Sequence, residues 1–276
     1  MKIRVLQLIN NYYVSSSLRG VEEASGTYCA YGYFDAIEVN DAFTIESDKK
    51  PYGFWRKMSE INFEKLNATC TRRIIPCITM EEADDDRDEQ FWKTKDKPIV
   101  LASLIRLKTE PNYKKKKLLE DLQTFRSETN IDIMFYYTSL HSELVMIVKG
   151  KSIKKCVNEV MRFRDRFMVL KSYTIFSIYE DELKIDSCIE SEKVTLRLKG
   201  TVREKNKVED FYDSLKSKLP QDATVVKYDL LGSNDLLVEI SNIDIKNIVP
   251  LYKMGNLLTH NHYKDALYNI ETEFLA

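Results

Sequence analysis

The sequence predicts an α+β fold built from βαββαβ units in tandem, and three observations point to it. The chain has 276 residues, enough for two domains or three small ones. Hydrophobic residues make up 43% and charged residues 31% of the chain, as expected for a protein with a packed core. The same order of strand-like and helix-like segments recurs along the chain, which is typical of internal repeats.

The middle of the chain carries the clearest pattern. Runs of apolar and β-branched residues predict four strands, and apolar residues at every third or fourth position predict two helices. In chain order these are a strand over 99–108, a helix over 113–127, strands over 131–138 and 144–149, a helix over 152–166 and a strand over 167–179.

The last part of the chain repeats this order. The predicted elements are a strand over 193–201, a helix over 204–219, strands over 223–230 and 236–240, a helix over 243–257 and a strand over 263–274. Pro220 ends the first of these helices because proline cannot continue the backbone hydrogen bonds. Pro250 is expected to kink or split the second.

The N-terminal part reads as a shortened copy. Strands are predicted over 2–10, 27–31, 36–40 and 73–80, a polar stretch over 15–25 stands in place of the first helix, and the second helix covers 54–66. Pro76 predicts that the last strand is bulged or lies at an edge, because proline donates no ladder hydrogen bond.

The order βαββαβ is the ferredoxin-like motif. We therefore expect tandem ferredoxin-like domains, two complete and one shortened: the shortened unit over 1–81, an acidic linker over 82–97, complete units over 98–180 and 193–276, and a second linker over 181–192. Positions 81–90 hold seven acidic residues and one arginine. Such a block favours a mobile, solvated tether, with an acidic docking segment for a basic partner as the alternative.

An acidic residue closes the predicted turn between the second and third strands of each copy. These residues are Asp35, Glu143 and Asp235. The simplest interpretation is that they accept hydrogen bonds from turn amides, with glycine permitting a tight turn before Asp35 and Asp235.

A βαββαβ unit with an acidic hairpin of this kind resembles the palm of GGDEF-type nucleotide cyclases and CRISPR polymerases. In that family the hairpin acid and an aspartate on the first strand hold two metal ions. The matching aspartate is absent from 99–108 and 193–201, and no complete GG-acid-acid-aromatic run occurs. The resemblance therefore implies a cyclase-like fold without the catalytic site. Tandem units of this sort are also similar to transducer domains encoded beside bacterial anti-phage effectors, which is an analogy of fold alone.

A basic region follows the middle hairpin, with eight basic and two acidic residues between 149 and 171. An ordinary solvated helix face, a surface for a protein or for the acidic linker, and a site for nucleotide or nucleic-acid phosphate all fit this pattern. The candidate contact residues are Lys151, Lys154, Lys155, Arg162 and Arg166.

Other constellations have simpler explanations. His260 and His262 are two residues apart, so on a strand they would share a face and could bind a metal ion. The preferred interpretation is that they lie in a solvated turn. The neighbours His141, Ser142 and Glu143 do not make a triad, which needs residues that converge in space. Two predicted strands carry aromatic residues that could stack on RNA bases: Phe135, Tyr136, Tyr137, Tyr173 and Phe176. Packing of open sheet faces against one another explains these residues more simply.

Composition narrows the function. A net charge of −1 argues against a general nucleic-acid or membrane binder, and five scattered cysteines without a CxxC pair suit the reducing cytoplasm. We expect a non-enzymatic cytoplasmic adaptor or sensor for a protein effector or a small ligand such as a nucleotide, with no cofactor and no metal. Homo-oligomerisation is left open. The alternatives are a divergent nucleotide cyclase or polymerase-like enzyme, or an RNA-binding CRISPR-type protein.

Overall fold

The computed structural model describes residues 2–9, 24–31, 36–40, 43–44, 72–81, 83–94, 96–108, 115–138, 143–179, 188–230, 235–247 and 267–275. Within these ranges the fold combines antiparallel sheets with four α-helices, which confirms the predicted α+β class. The predicted hairpin acid Asp35, the helix over 54–66 and the residues His141, His260 and His262 lie outside the described residues.

The middle part of the chain has its elements in the predicted order, whereas elsewhere the structure adds a two-residue strand and a helix that were not predicted. The first part contains β1 (Lys2–Ile9), β2 (Ala24–Tyr31), β3 (Ala36–Asn40), β4 (Phe43–Thr44) and β5 (Arg72–Thr79), followed by helix α1 (Ala83–Lys93). The middle part contains β6 (Ile99–Leu107), α2 (Lys115–Ser127), β7 (Asp132–Tyr137), β8 (Glu143–Gly150), α3 (Ile153–Arg166) and β9 (Val169–Tyr179). The last part contains β10 (Lys193–Val202), α4 (Lys205–Lys218), β11 (Thr224–Asp229), β12 (Leu236–Asp244) and β13 (Leu267–Leu275).

The first nine strands form one sheet that closes on itself. Its order is β3-β2-β9-β6-β8-β7-β5-β1, and β1 pairs in turn with β3, while the short β4 also pairs with β1. All these pairings are antiparallel. The result is an eight-stranded barrel, a size at which side chains alone can fill the interior.

The same strand order recurs in each part of the chain. Numbering the four main strands of a part by sequence, the order across the sheet is second, third, first, fourth. It is β2-β3-β1-β5 in the first part, β7-β8-β6-β9 in the middle and β11-β12-β10-β13 in the last. The first two sets make the barrel, and the third makes a separate four-stranded sheet.

Alternation along each strand divides the core into two layers. On β6, Val100 and Ala102 point into the barrel, whereas Ile99, Leu101 and Ile105 point outward under α2 and α3. The outer layer includes an aromatic cluster in which the ring centroids of Phe125 and Phe163 are 5.3 Å apart, in an edge-to-face arrangement.

Two departures from the predicted elements have local causes. The predicted helix over 243–257 is not formed at its start, because β12 runs on to Asp244 and a 3-10 turn follows at Ile245–Asn247. The extension beyond residue 240 contains Asn242, whose φ of 62° lies in the left-handed region that asparagine tolerates. The second departure is at Pro76, which was expected to place its strand at an edge or in a bulge. β5 instead lies between β1 and β7, and its register with β1 runs through Pro76 and Val5 without a shift. The pairing with β7 is confined to Ile78 and Thr79, beyond the proline.

Candidate functional site

The acidic segment after β5 is a helix. The sequence led us to expect a solvated tether over 82–97, but α1 buries the side chains of Asp84, Asp88, Phe91 and Trp92. These positions are spaced by four, three and one residues and so lie on one helical face. The pattern was hidden in the sequence because two of the four buried residues are acids, a type that is buried almost only when paired.

Asp88 is the centre of a buried polar network. The Arg4 guanidinium of β1 donates to its carboxylate through Nε, 3.0 Å from Oδ2, and Nη2, 2.7 Å from Oδ2. The exposed side-chain fractions of Arg4 and Asp88 are 3% and 1%. The Tyr136 hydroxyl donates to Asp88 Oδ1 over 2.6 Å and accepts a bond of 2.9 Å from the Trp92 indole N–H. Two strands and a helix are thereby joined through one carboxylate.

A buried lysine holds the other end of α1. Lys149 of β8 donates from Nζ to the Phe91 carbonyl, 2.7 Å away, and to the Thr94 carbonyl. The same ammonium lies 5.3 Å from the Phe91 ring centroid and 5.8 Å from that of Trp92. Carbonyls at the end of a helix lack intrahelical donors, so a cation there is stabilising. The sequence placed this lysine in a basic surface region, whereas the structure buries it.

Burial keeps the neutral groups of this interior protonated. Burial, with the Asp88 carboxylate beside it, raises the pKa of Tyr136 well above its ordinary value. Burial also raises the pKa of the Cys77 thiol, again with the Asp88 charge contributing. Tyr136 therefore remains a hydrogen-bond donor to Asp88 at neutral pH, and the network fixes α1 against the barrel.

The outer side of α1 forms a groove with α2 and the start of β7. The groove has a volume of about 500 Å³. Two arginines of its lining contact Asp84, which accepts from Arg126 Nη1 over 2.9 Å and from Arg87 Nη1 over 3.3 Å. No sequence motif marks this groove, because its residues come from three elements that meet only in the fold.

The predicted contact residues of α3 share one region of the surface, and most are engaged with acids of the same chain. Lys151 lies 3.4 Å from Asp96, Lys155 2.7 Å from Glu190, Arg162 2.9 Å from Glu159 and Arg166 2.5 Å from Glu128. The side-chain hydrogen bond and charge of Glu190 raise the pKa of Lys155. Within the described residues Lys154 has no ion pair at its ammonium.

The N-terminus of α3 is capped from a distant part of the chain. Ser152 is the N-cap and accepts from the Lys155 amide over 3.2 Å. The carboxylate of Glu192 accepts from the amides of Ile153 and Lys154 at 2.8 and 3.2 Å and from the Ser152 hydroxyl. An anion at this position satisfies orphan amides and opposes the helix dipole.

The two hairpin acids that the structure describes lie in different sheets. Glu143 begins β8 of the barrel, and its carbonyl accepts from the Thr138 amide over 3.3 Å. Asp235 precedes β12 of the four-stranded sheet, and its Oδ2 accepts from the Val202 amide over 3.0 Å. They do not form a carboxylate pair. Within the ranges described, no group of three or more His, Cys, Asp or Glu side chains is arranged to hold a metal ion.

Large exposed hydrophobic side chains gather at the end of α3 and the start of β9. The exposed fractions are 46% for Met161, 61% for Met168, 62% for Leu170 and 38% for Tyr173. We call this region the α3–β9 patch. Of these four residues, the strand pattern singled out Tyr173 alone, and packing of open sheet faces was expected to cover it.

Comparison with known proteins does not assign the chain to a family. No protein-family model matches the chain, and no curated protein matches it either. Among the described helices, none has the length and apolar character required to cross a membrane.

Proposed function

We propose that this chain is a non-enzymatic adaptor that binds a protein partner through the α3–β9 patch. The observation that carries the proposal is the clustering of exposed hydrophobic residues. Besides Tyr228 on β11, the large hydrophobic side chains found exposed in the described residues all belong to this patch. Exposed apolar side chains that are contiguous and rimmed by charge mark interaction surfaces more often than scattered ones do.

Charge around the patch indicates the kind of partner. The segment 161–173 contains four basic residues and one acidic residue. Arg162 and Arg166 are paired with acids, but Arg164 and Lys171 are exposed and have no ion pair within the described part of the chain. An apolar surface flanked by unpaired bases suits a partner that presents apolar side chains beside acidic ones.

The end of α3 and the turn after it bring these features together. Met161 and Arg164 are three residues apart on α3 and so lie on one side of it, and Met168 follows in the turn between Arg166, where the helix ends, and β9. Leu170 follows at the start of β9, where the pairing with β6 shifts register between Arg106 and Leu107. A register shift of this kind turns a side chain away from the regular alternation, which accounts for an exposed leucine on an interior strand.

The adaptor interpretation is tested with a tagged full-length chain and its Met168→Asp/Leu170→Asp variant. Partners that co-purify with the wild type from its native host are identified, produced separately and titrated against both chains. We expect the variant to bind at least tenfold more weakly, which corresponds to about 1.4 kcal/mol. Tyr228→Asp is the control, because it replaces an exposed hydrophobic residue on another sheet with an aspartate and so tests the effect of such a substitution away from the patch.

Two results would overturn this proposal. One is a partner that binds the wild type and the double variant equally. The other is a loss of binding that Tyr228→Asp reproduces, because the effect would then not belong to the α3–β9 patch. Charge reversal at Arg164 and Lys171 should weaken binding of the same partner. The affinity of this variant should also fall less with added salt than that of the wild type, because the attraction that salt screens has been removed.

We also propose that the three parts of the chain are tandem ferredoxin-like units, the first one shortened. The support is the strand order second-third-first-fourth, which is the order of a βαββαβ unit and recurs in all three parts. A cytoplasmic location is part of the same proposal. Its support is that the buried Cys77 and Cys156 are free thiols, as expected in a reducing compartment.

A further inference from the structure

The groove between α1 and α2 has the size of a small-molecule site. Its volume of about 500 Å³ lies within the ~300–1,000 Å³ typical of ligand pockets. One wall is α1, which the buried Arg4–Asp88 contact fixes against the barrel. The groove is therefore bounded by elements that are held in place from inside the molecule.

The groove has an apolar floor and a polar rim. The floor includes Phe91 and Ile133, both buried, and the half-buried Ile131. The rim includes Gln90, whose exposed side-chain amide has no hydrogen bond within the described residues and can both donate and accept. Such a combination binds the body of an organic molecule on the floor and orients its edge at the rim.

Two arginines supply an excess of hydrogen-bond donors at one end. Arg126 and Arg87 each use a single nitrogen, Nη1, to contact the same oxygen of Asp84. A guanidinium carries five N–H groups, and the remaining groups of both residues have no acceptor in the described part of the chain. The Arg126 side chain is only 17% exposed, so its donors are held in position. The carboxylate that lines the groove, Asp132, is paired with Lys97 at 2.7 Å, so Asp84 alone faces the two guanidiniums and this end of the groove favours a further anion.

We propose that this groove binds a small organic phosphate of nucleotide size. The phosphate lies between Arg126 and Arg87, whose planar donor arrays match phosphate oxygens in pairs. The heterocyclic body lies on the floor made by Phe91 and Ile133, with Gln90 at its edge. This site is separate from the α3–β9 patch and does not depend on the proposed protein partner.

The test is direct binding to the purified full-length chain without any partner. Four nucleoside monophosphates (AMP, GMP, CMP and UMP) are titrated by calorimetry, with Trp92 fluorescence as a second signal, because Trp92 lies 5.1 Å from Phe91 between ring centroids. We expect saturable binding of at least one of the four. Its nucleoside and inorganic phosphate alone should each bind at least tenfold more weakly.

Two variants place the ligand in the groove. Arg126→Gln should weaken binding at least tenfold, whereas Arg197→Gln should not, because Arg197 pairs with Glu239 at 2.7 Å in the four-stranded sheet. Gln90→Trp fills the groove while it leaves both arginines and Asp84 intact, so it separates loss of the site from loss of folding. Circular dichroism confirms that each variant is folded.

The proposal is overturned if none of the four monophosphates binds saturably. It is also overturned if a folded Gln90→Trp or Arg126→Gln variant binds as the wild type does. If benzoate binds as tightly as the best monophosphate, the assignment of phosphate is wrong. None of these results depends on whether the α3–β9 patch captures a protein.

Discussion

Replacing Asp88 with asparagine should strongly destabilise the protein. The substitution keeps the shape of the side chain and one acceptor oxygen but removes the charge that faces Arg4. Arg4 is 3% exposed, and its guanidinium would then lose the carboxylate that accepts from its Nε and Nη2. Breaking a buried pair in this way costs about 3–5 kcal/mol. A domain of ordinary stability has ~5–15 kcal/mol in total, so the loss is a large fraction of it.

Urea denaturation followed by circular dichroism gives the free energy of unfolding. Asp86→Asn is the matched control, because Asp86 is exposed on the same helix, and we expect its effect to stay within ~0.5 kcal/mol. Arg4→Met and the double variant complete a mutant cycle. Since the two groups are in contact, the double variant should cost at least ~1 kcal/mol less than the sum of the single variants.

Hydrogen exchange distinguishes release of α1 from global unfolding. In Asp88→Asn, the amides of α1 should lose protection before those of the barrel strands, because the substitution removes the contact that seats the helix. The reasoning is refuted if Asp88→Asn lies within ~1 kcal/mol of the wild type, or if the effects at Arg4 and Asp88 are additive. Either result would mean that the buried contact does not hold α1 in the barrel.

Three further predictions concern the packing, the thiols and the cap of α3. Gly150→Ala should lose ~1–3 kcal/mol in urea denaturation, because the new Cβ would lie 2.6 Å from Cys156 Sγ, and Cys156→Ala in the same background should recover part of the loss. Burial raises the pKa of Cys156 to about 12, so its thiol should resist iodoacetamide at pH 8 until the protein is denatured. The unfolded chain ionises this thiol above a pKa of ~8.5, whereas the folded chain keeps it neutral up to about 12, so the wild type loses unfolding free energy as pH rises between these values. Cys156→Ala lacks the thiol and should therefore lose less stability than the wild type between pH 8 and pH 10. An equal loss in both proteins would contradict the prediction. Glu192→Ala should lower the unfolding free energy by ~1–2 kcal/mol, because the amides of Ile153 and Lys154 lose their acceptor. Glu190→Ala is the control: it removes only an exposed ion pair and should cost less than ~1 kcal/mol. Equal effects would show that Glu192 is not a cap.

Local pattern was sufficient to predict most of the elements. Runs of apolar residues located β6 and β8, which are buried on both faces over most of their length. Apolar residues at every third or fourth position located α2 and α3, each of which buries one face. The closure of the barrel was not predictable in this way. The contacts of β1 with β3, and of β9 with β2, join segments distant in sequence, and the alternation of a strand is the same whether its edge is open or paired.

The candidate site was predicted only in part, for related reasons. The excess of basic over acidic residues in the sequence identified the basic region of α3. The ion pairs of Arg166 with Glu128 and of Lys155 with Glu190 were not predictable, because each acid lies on a segment far from α3 in the chain. Asp88 and Lys149 were assigned to solvent because charged residues are seldom buried. Both are buried because each meets its partner across the barrel, and that meeting is a property of the fold rather than of either segment.

The central claim is that the α3–β9 patch is the protein-binding surface. Hydrogen–deuterium exchange on the chain with and without its purified partner tests it most directly. The claim predicts that the partner slows exchange across 161–174 and leaves β11, where Tyr228 is exposed, unchanged. Protection confined to β11 or α4, or no protection over 161–174 in a saturated complex, would contradict it.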